Sequence, residues 1–171
     1  MLATMIDQCA ERCRIASSTK NHAEALKILE DMKTDLRKSP PSADEVSSLL
    51  RDVLMNPRMP GASFVFVAAW YNLSQEYVPV LCEILLSRPC AGWHEQTIEI
   101  LGELANPNAV PALAKSIEYR WEFDEWYSIP RKALQSLNSI GTAAAVAVVE
   151  AATMSNIAEI RQEATDILEE A

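Results

Sequence analysis

Apolar residues recur at three- and four-residue spacing along almost the whole chain, a pattern that predicts a succession of helices. Leu2, Ile6, Cys9, Cys13 and Ile15 mark the first, over residues 2–17. Ala25, Leu26, Ile28, Leu29, Met32 and Leu36 form the stripe of the next, over 21–38. Its end is basic at Arg37 and Lys38, which complements the helix dipole, and Ser39-Pro40-Pro41 stops it. Ser42 followed by Glu45 is a capping-box pattern and opens a helix over 43–55 that buries Val46, Leu49, Leu50, Val53 and Leu54. After the break from Asn56 to Gly61, residues 62–73 are nearly all apolar. Such a run is compatible with a buried strand, but its alanines, its length and its place among helices favour a buried helix. Further helices are expected over 75–87, 93–105, 108–121, 124–139, 142–154 and 156–170. Arg88-Pro89 to Gly92, Asn106-Pro107-Asn108 and Gly141-Thr142 are the breaks. No strand-like alternation appears.

Three stretches of the helical pattern align with one another. The first runs from Phe64 through Leu73 to Val78-Pro79-Val80-Leu81. The second runs from Ile98-Glu99-Ile100-Leu101-Gly102-Glu103-Leu104 to Val110-Pro111-Ala112-Leu113. The third runs from Ala133-Leu134-Gln135-Ser136-Leu137 to Val146-Ala147-Val148-Val149. Val78, Val110 and Val146 recur at the period of stacked helical pairs, roughly 30 to 40 residues. A half-repeat at Ile160–Leu168 would cap the stack.

The second stretch carries a family likeness. Ile98 to Leu113, a helix with Leu-Gly near its end, a polar turn and then Ala-Val-Pro, resembles bacterial HEAT repeats of the phycobilin-lyase-like type. The physics agrees: Gly102 permits close helix approach, and Pro111 falls in the first turn of the second helix, where its missing N–H is harmless. Three positions depart from the pattern: Asn138 where a Gly is expected, Ala147 where a Pro is expected, and His94 or Glu95 where the first helix of the repeat usually has Arg. The resemblance implies an all-α fold, a short right-handed α-α superhelix (a HEAT-like solenoid) of about nine or ten helices. The expectation is one domain over residues 1–171. Residues 1–60 would form N-terminal helices of degenerate repeat, 61–156 the clearer repeats, and 157–171 a capping helix.

Composition narrows the function. The formal net charge of −9 lacks the basic face that phosphate backbones require, so nucleic acid is not an expected partner. The same charge disfavours an anionic membrane surface. No stretch is apolar enough to span a bilayer, and Asp7 and Glu11 interrupt what would be a leader, so a cytoplasmic location is expected. Cys9, Cys13, Cys82 and Cys90 are then read as reduced thiols. Cys82, Cys90 and His94 match no usual zinc spacing, and no metal or cofactor is expected. No phosphate loop, zinc-protease motif or nucleophile elbow is present, so nothing argues for catalysis. His94, at the start of a helix, is expected as a surface or capping residue. Arg131 and Arg161 are expected to pair with acidic groups.

The unusual segment is Tyr119-Arg120-Trp121-Glu122-Phe123-Asp124-Glu125-Trp126-Tyr127. Its five aromatic residues stand in a chain that is only 6% aromatic, which sets the segment apart from the core pattern. It lies between the second and third repeats, where loops tend to line a binding face. Tyr119, Trp121, Phe123, Trp126 and Tyr127 suit interface anchors, and Glu122, Asp124 and Glu125 suit Lys or Arg on a partner. The competing reading is that Trp121, Phe123 and Trp126 fill space between helix pairs. The expected function is therefore a non-catalytic protein–protein interaction module or scaffold. Its partner would be a protein, basic if charge governs the choice. A bacterial immunity or antitoxin protein that inhibits a basic toxin is one alternative. The resemblance adds two more, a bilin-lyase-like enzyme or accessory protein and a HEAT-like DNA glycosylase; the acidity opposes the last.

Overall fold

The structure, a computed structural model, describes residues 1–170. They fold as helices joined by short turns, with no strand among the described residues. The chain divides into two compact units, Met1–Tyr77 and the remainder from Val78 onward. The boundary cuts the first of the three aligned stretches.

The first unit contains α1 (Leu2–Ser18), α2 (His22–Lys38), α3 (Ala43–Met55) and α4 (Ala62–Tyr71). The amphipathic helices bury the expected stripes: Leu2, Ile6 and Cys9 from α1, Ile28, Met32 and Leu36 from α2, and Val46, Leu49, Leu50 and Val53 from α3. Helix α4 is the apolar run over 62–73, and it is a helix because three partners surround it. It packs on α1, α2 and α3, so Phe64, Val65, Phe66, Ala68 and Ala69 all find cover. A helix apolar on most sides is stable only when buried in this way. Ser42 and Glu45 make both bonds of the capping box at the start of α3. The Tyr77 hydroxyl donates to the Asn72 carbonyl at 2.8 Å, closing the unit's last turn. Burial of this phenol raises its pKa to about 12.

The second unit contains α5 (Val78–Leu86), α6 (His94–Leu104), α7 (Val110–Ser116), α8 (Ser128–Ile140), α9 (Ala143–Ala152) and α10 (Ala158–Glu170). Contacts arrange these helices in two layers. Helices α6, α8 and α10 form one row, each touching the next, and α5, α7 and α9 form the other. The rows meet through α5 with α6, α7 with α8, and α9 with both α8 and α10. This is the stacking that a helical-pair repeat produces, because each pair buries its apolar face only against its neighbours. The close approach of α6 and α8 has a visible cause. A Cβ placed on Gly102 of α6 would lie 2.6 Å from Ser136 Oγ and 3.0 Å from Ser136 Cβ in α8. The Ser136 hydroxyl in turn donates to the Ile98 carbonyl of α6 at 3.0 Å. Lys132 of α8 bonds Glu95 at 3.0 Å and also Glu99, tying the same two helices at their rim. Arg131 pairs with Glu163 of α10 at 2.7 Å, whereas Arg161 donates to the Ser155 carbonyl and has no carboxylate partner among the described residues.

Two helix boundaries differ from the sequence expectation. The helix expected over 108–121 is the helical turn Pro107–Ala109 followed by α7, which stops at Ser116. The helix expected over 124–139 begins only at Ser128. Residues 117–127 contain neither Gly nor Pro, and the helix ends there with Arg120 bonded to the Ile117 and Tyr119 carbonyls and with Tyr119 and Trp121 packed on His94.

Candidate functional site

Residues 117–127 leave α7, cross to the start of α8 and carry the whole aromatic segment. The loop is anchored at several points. The Arg120 guanidinium donates to the carbonyls of Ile117 at 2.9 Å and Tyr119 at 2.6 Å, closing the end of α7. The Tyr119 hydroxyl donates to the Leu85 carbonyl at the end of α5, at 2.9 Å. Asp124 accepts from the Ser128 N–H at 2.6 Å on one carboxylate oxygen and from the Ile129 N–H at 3.1 Å on the other. Both bonds satisfy first-turn donors that α8 cannot pair internally, and the negative charge suits the positive end of the helix dipole. Asp124 therefore caps α8 from outside it, instead of standing in its first turn as the pattern suggested.

The inner half of the loop closes over His94. The imidazole stacks on Tyr119, with ring centroids 5.3 Å apart, and meets Trp121 edge-on at 5.8 Å. Trp121 stacks on Phe123 at 5.9 Å, and the Arg88 guanidinium lies over its ring at 5.6 Å. His94 is fully buried, which corrects the expectation of a surface or capping histidine. Its Nε2 lies 3.2 Å from the Ser87 carbonyl and so carries the proton of the neutral ring. Nδ1 is buried with no hydrogen-bond partner, as is the Trp121 indole nitrogen. Burial holds the imidazole pKa below its ordinary value, because the charged ring would lose its water; the Ser87 and Ile84 carbonyls oppose that shift. Burial also raises the Tyr119 phenol. A lone His at a helix start gave no hint of this role; aromatic residues one repeat later in the chain supply its lid.

The outer half of the loop faces the other way. Phe123 is 63% exposed and Trp126 75% exposed, although both are large and apolar. Glu122 and Glu125 are exposed beside them. Tyr127, with φ of 54°, takes the left-handed conformation just before α8, and the Arg120 guanidinium lies 5.7 Å from its ring centroid. The segment is thus divided. Tyr119 and Trp121 pack inward, whereas Phe123 and Trp126, which the space-filling reading placed with Trp121 between helix pairs, are exposed. The loop encloses a concavity of about 340 Å³ lined by Tyr119, Arg120, Trp121, Glu122, Asp124, Glu125 and Tyr127.

The cysteines form no comparable centre. Cys9 and Cys90 are buried, and Cys13 and Cys82 are half-buried. Burial raises the thiol pKa values of Cys9, Cys13 and Cys82. Among the described residues no group of three His, Cys, Asp or Glu side chains is placed to hold a metal ion. No helix among them is long and apolar enough to cross a membrane.

No family model matches the chain, and no curated protein does. Among solved structures it is similar to human deoxyhypusine hydroxylase in complex with glycerol, with 20% sequence identity and a TM-score of 0.60. The match covers 76% of this chain and 44% of that one, so the chain spans less than half the length of the neighbour. That protein has HEAT-like helical repeats, and the likeness shows the fold: this chain is an all-α helical-repeat protein.

Proposed function

We propose that the chain is a protein-binding module whose docking surface is the outer half of the 117–127 loop. The observation that carries this reading is the exposure of Phe123 and Trp126 on a segment fixed at both ends. Large exposed aromatics on a mobile loop would lose ordering entropy on binding; here much of that ordering is already present. Trp and other aromatics are also the side chains that most often dominate interface energetics. Glu122 and Glu125 beside them, and the net charge of −9, favour a basic partner surface and would speed its capture. The repeat scaffold supports the same reading, since stacked pairs hold their connecting loops on a rigid frame. The helical-repeat neighbour is an enzyme, and its activity is not carried to this chain by a likeness of fold.

The test is a comparative capture from the native host. The bait is the intact chain beside Phe123→Ser/Trp126→Ser, with equal helical circular dichroism established first. Trp121 is left alone because it packs on His94 and Tyr119. A protein held by the wild type and lost by the double variant is the expected result. A protein held equally by both would refute the assignment of the loop.

A further inference from the structure

We propose that the concavity within the 117–127 loop receives a single basic side chain, arginine or lysine, from the bound protein. The inference rests on the reading of this loop as the docking surface and adds the chemistry it recognises. The concavity, about 340 Å³, lies at the small end of ligand pockets and has room for a single long side chain. Its walls combine the rings of Tyr119, Trp121 and Tyr127 with the carboxyl groups of Glu122, Asp124 and Glu125. Aromatic faces attract cations through the ring quadrupole, and carboxylates attract them by charge.

The groups lining the concavity are not equally available. Asp124 accepts from the Ser128 and Ile129 amides, one on each oxygen, so it holds the loop in shape while its charge still faces the concavity. Arg120, the lone cationic wall residue, is committed to the Ile117 and Tyr119 carbonyls. Glu122 and Glu125 form no ion pair or hydrogen bond. They are the uncompensated charges of the wall, and their complement is a cation. The aromatic walls already show that preference from within the chain: Arg88 lies over Trp121 at 5.6 Å and Arg120 over Tyr127 at 5.7 Å. Phe123 and Trp126, exposed beside the concavity, would cover the apolar stem of an incoming Arg or Lys and shed water around its charge. An anionic or purely apolar occupant would leave the two carboxylates without a counter-charge.

The probes are N-acetyl-arginine amide and N-acetyl-lysine amide, titrated into the full chain at low salt, with N-acetyl-citrulline amide as the uncharged control. The readouts are the indole N–H resonance of Trp121 and the ring resonances of Tyr127. A saturable shift with at least one cationic probe, absent with citrulline, is expected. The doubly neutral variant Glu122→Gln/Glu125→Gln should weaken it about tenfold, as loss of two exposed charge contacts implies. Both positions are exposed, so the variant folds. An equal response to citrulline, an unchanged response in the Gln variant, or no saturable shift at either residue would overturn the proposal. These outcomes separate from those of the capture experiment. A partner lost with Phe123→Ser/Trp126→Ser while the cationic probes fail leaves the docking loop standing and removes only the cation pocket.

Discussion

Replacing Gly102 by alanine probes a close contact between α6 and α8. The new Cβ would sit 2.6 Å from Ser136 Oγ, 3.0 Å from Ser136 Cβ and 3.3 Å from Ser136 Cα. Rotating the serine hydroxyl away relieves only the first of these, and it breaks the buried bond from Ser136 to the Ile98 carbonyl. The remaining contacts involve α8 itself, so the α6–α8 pair must move apart. Overpacking of this kind costs about 1–3 kcal/mol. Loss of the hydrogen bond adds about 1 kcal/mol. Alanine is the better helix former in mid-helix and returns about 1 kcal/mol. The net expectation is destabilisation by about 1–3 kcal/mol, read as a lower urea midpoint at unchanged slope in helical circular dichroism. Ser136→Gly removes the two nearest atoms, Oγ and Cβ, so Gly102→Ala should cost much less in that background, with a coupling of at least about 1 kcal/mol in the double-mutant cycle. A Gly102→Ala protein as stable as wild type, or an equal penalty in both backgrounds, would refute the close-approach argument.

Four further outcomes follow from other parts of the fold. Ala105 ends α6 with φ of 48°, a left-handed C-cap that glycine occupies without strain, so Ala105→Gly should stabilise by about 0.5–1 kcal/mol in the same assay. Asp124→Ala should destabilise by about 1–2 kcal/mol and speed amide hydrogen exchange at Ser128 and Ile129; unchanged protection there would rule out the cap. Phe123→Ser/Trp126→Ser should destabilise by no more than about 1.5 kcal/mol, the worth of the Phe123 stack on Trp121, and a larger loss in thermal unfolding would return these rings to the core. His94 gives a pH dependence. Its folded pKa lies below the ordinary value of 6.5, so below that pH the unfolded chain binds the extra proton. Its contribution is therefore complete above pH 6.5 and declines as pH falls, by at most about 1.4 kcal/mol per pH unit. His94→Gln should flatten that part of the stability profile measured by denaturant titration at successive pH values, and an unchanged slope would count against the buried neutral ring.

Most of the helices could be read from the chain because their determinants are local. The stripes of α2 and α3, the Ser42–Glu45 box and the Pro111 start of α7 all depend on spacing and near neighbours. Helix α4 was harder. Its apolar run fits a strand or a helix, and what favours the helix is the cover supplied by α1, α2 and α3. The 117–127 loop is the opposite case. Its sequence has no Gly or Pro to mark an end, and in the fold Tyr119 and Trp121 close over His94 instead of extending α7. Sequence alone marked the segment as rich in aromatics and carboxylates. The three-dimensional fold decided which rings are lid and which are exposed, and it assigned Asp124 to the cap of α8 and Glu122 and Glu125 to solvent. The physical reason is range: capping and periodicity act over a few residues, whereas the pairing of His94 with Trp121 exists only after two repeats have stacked.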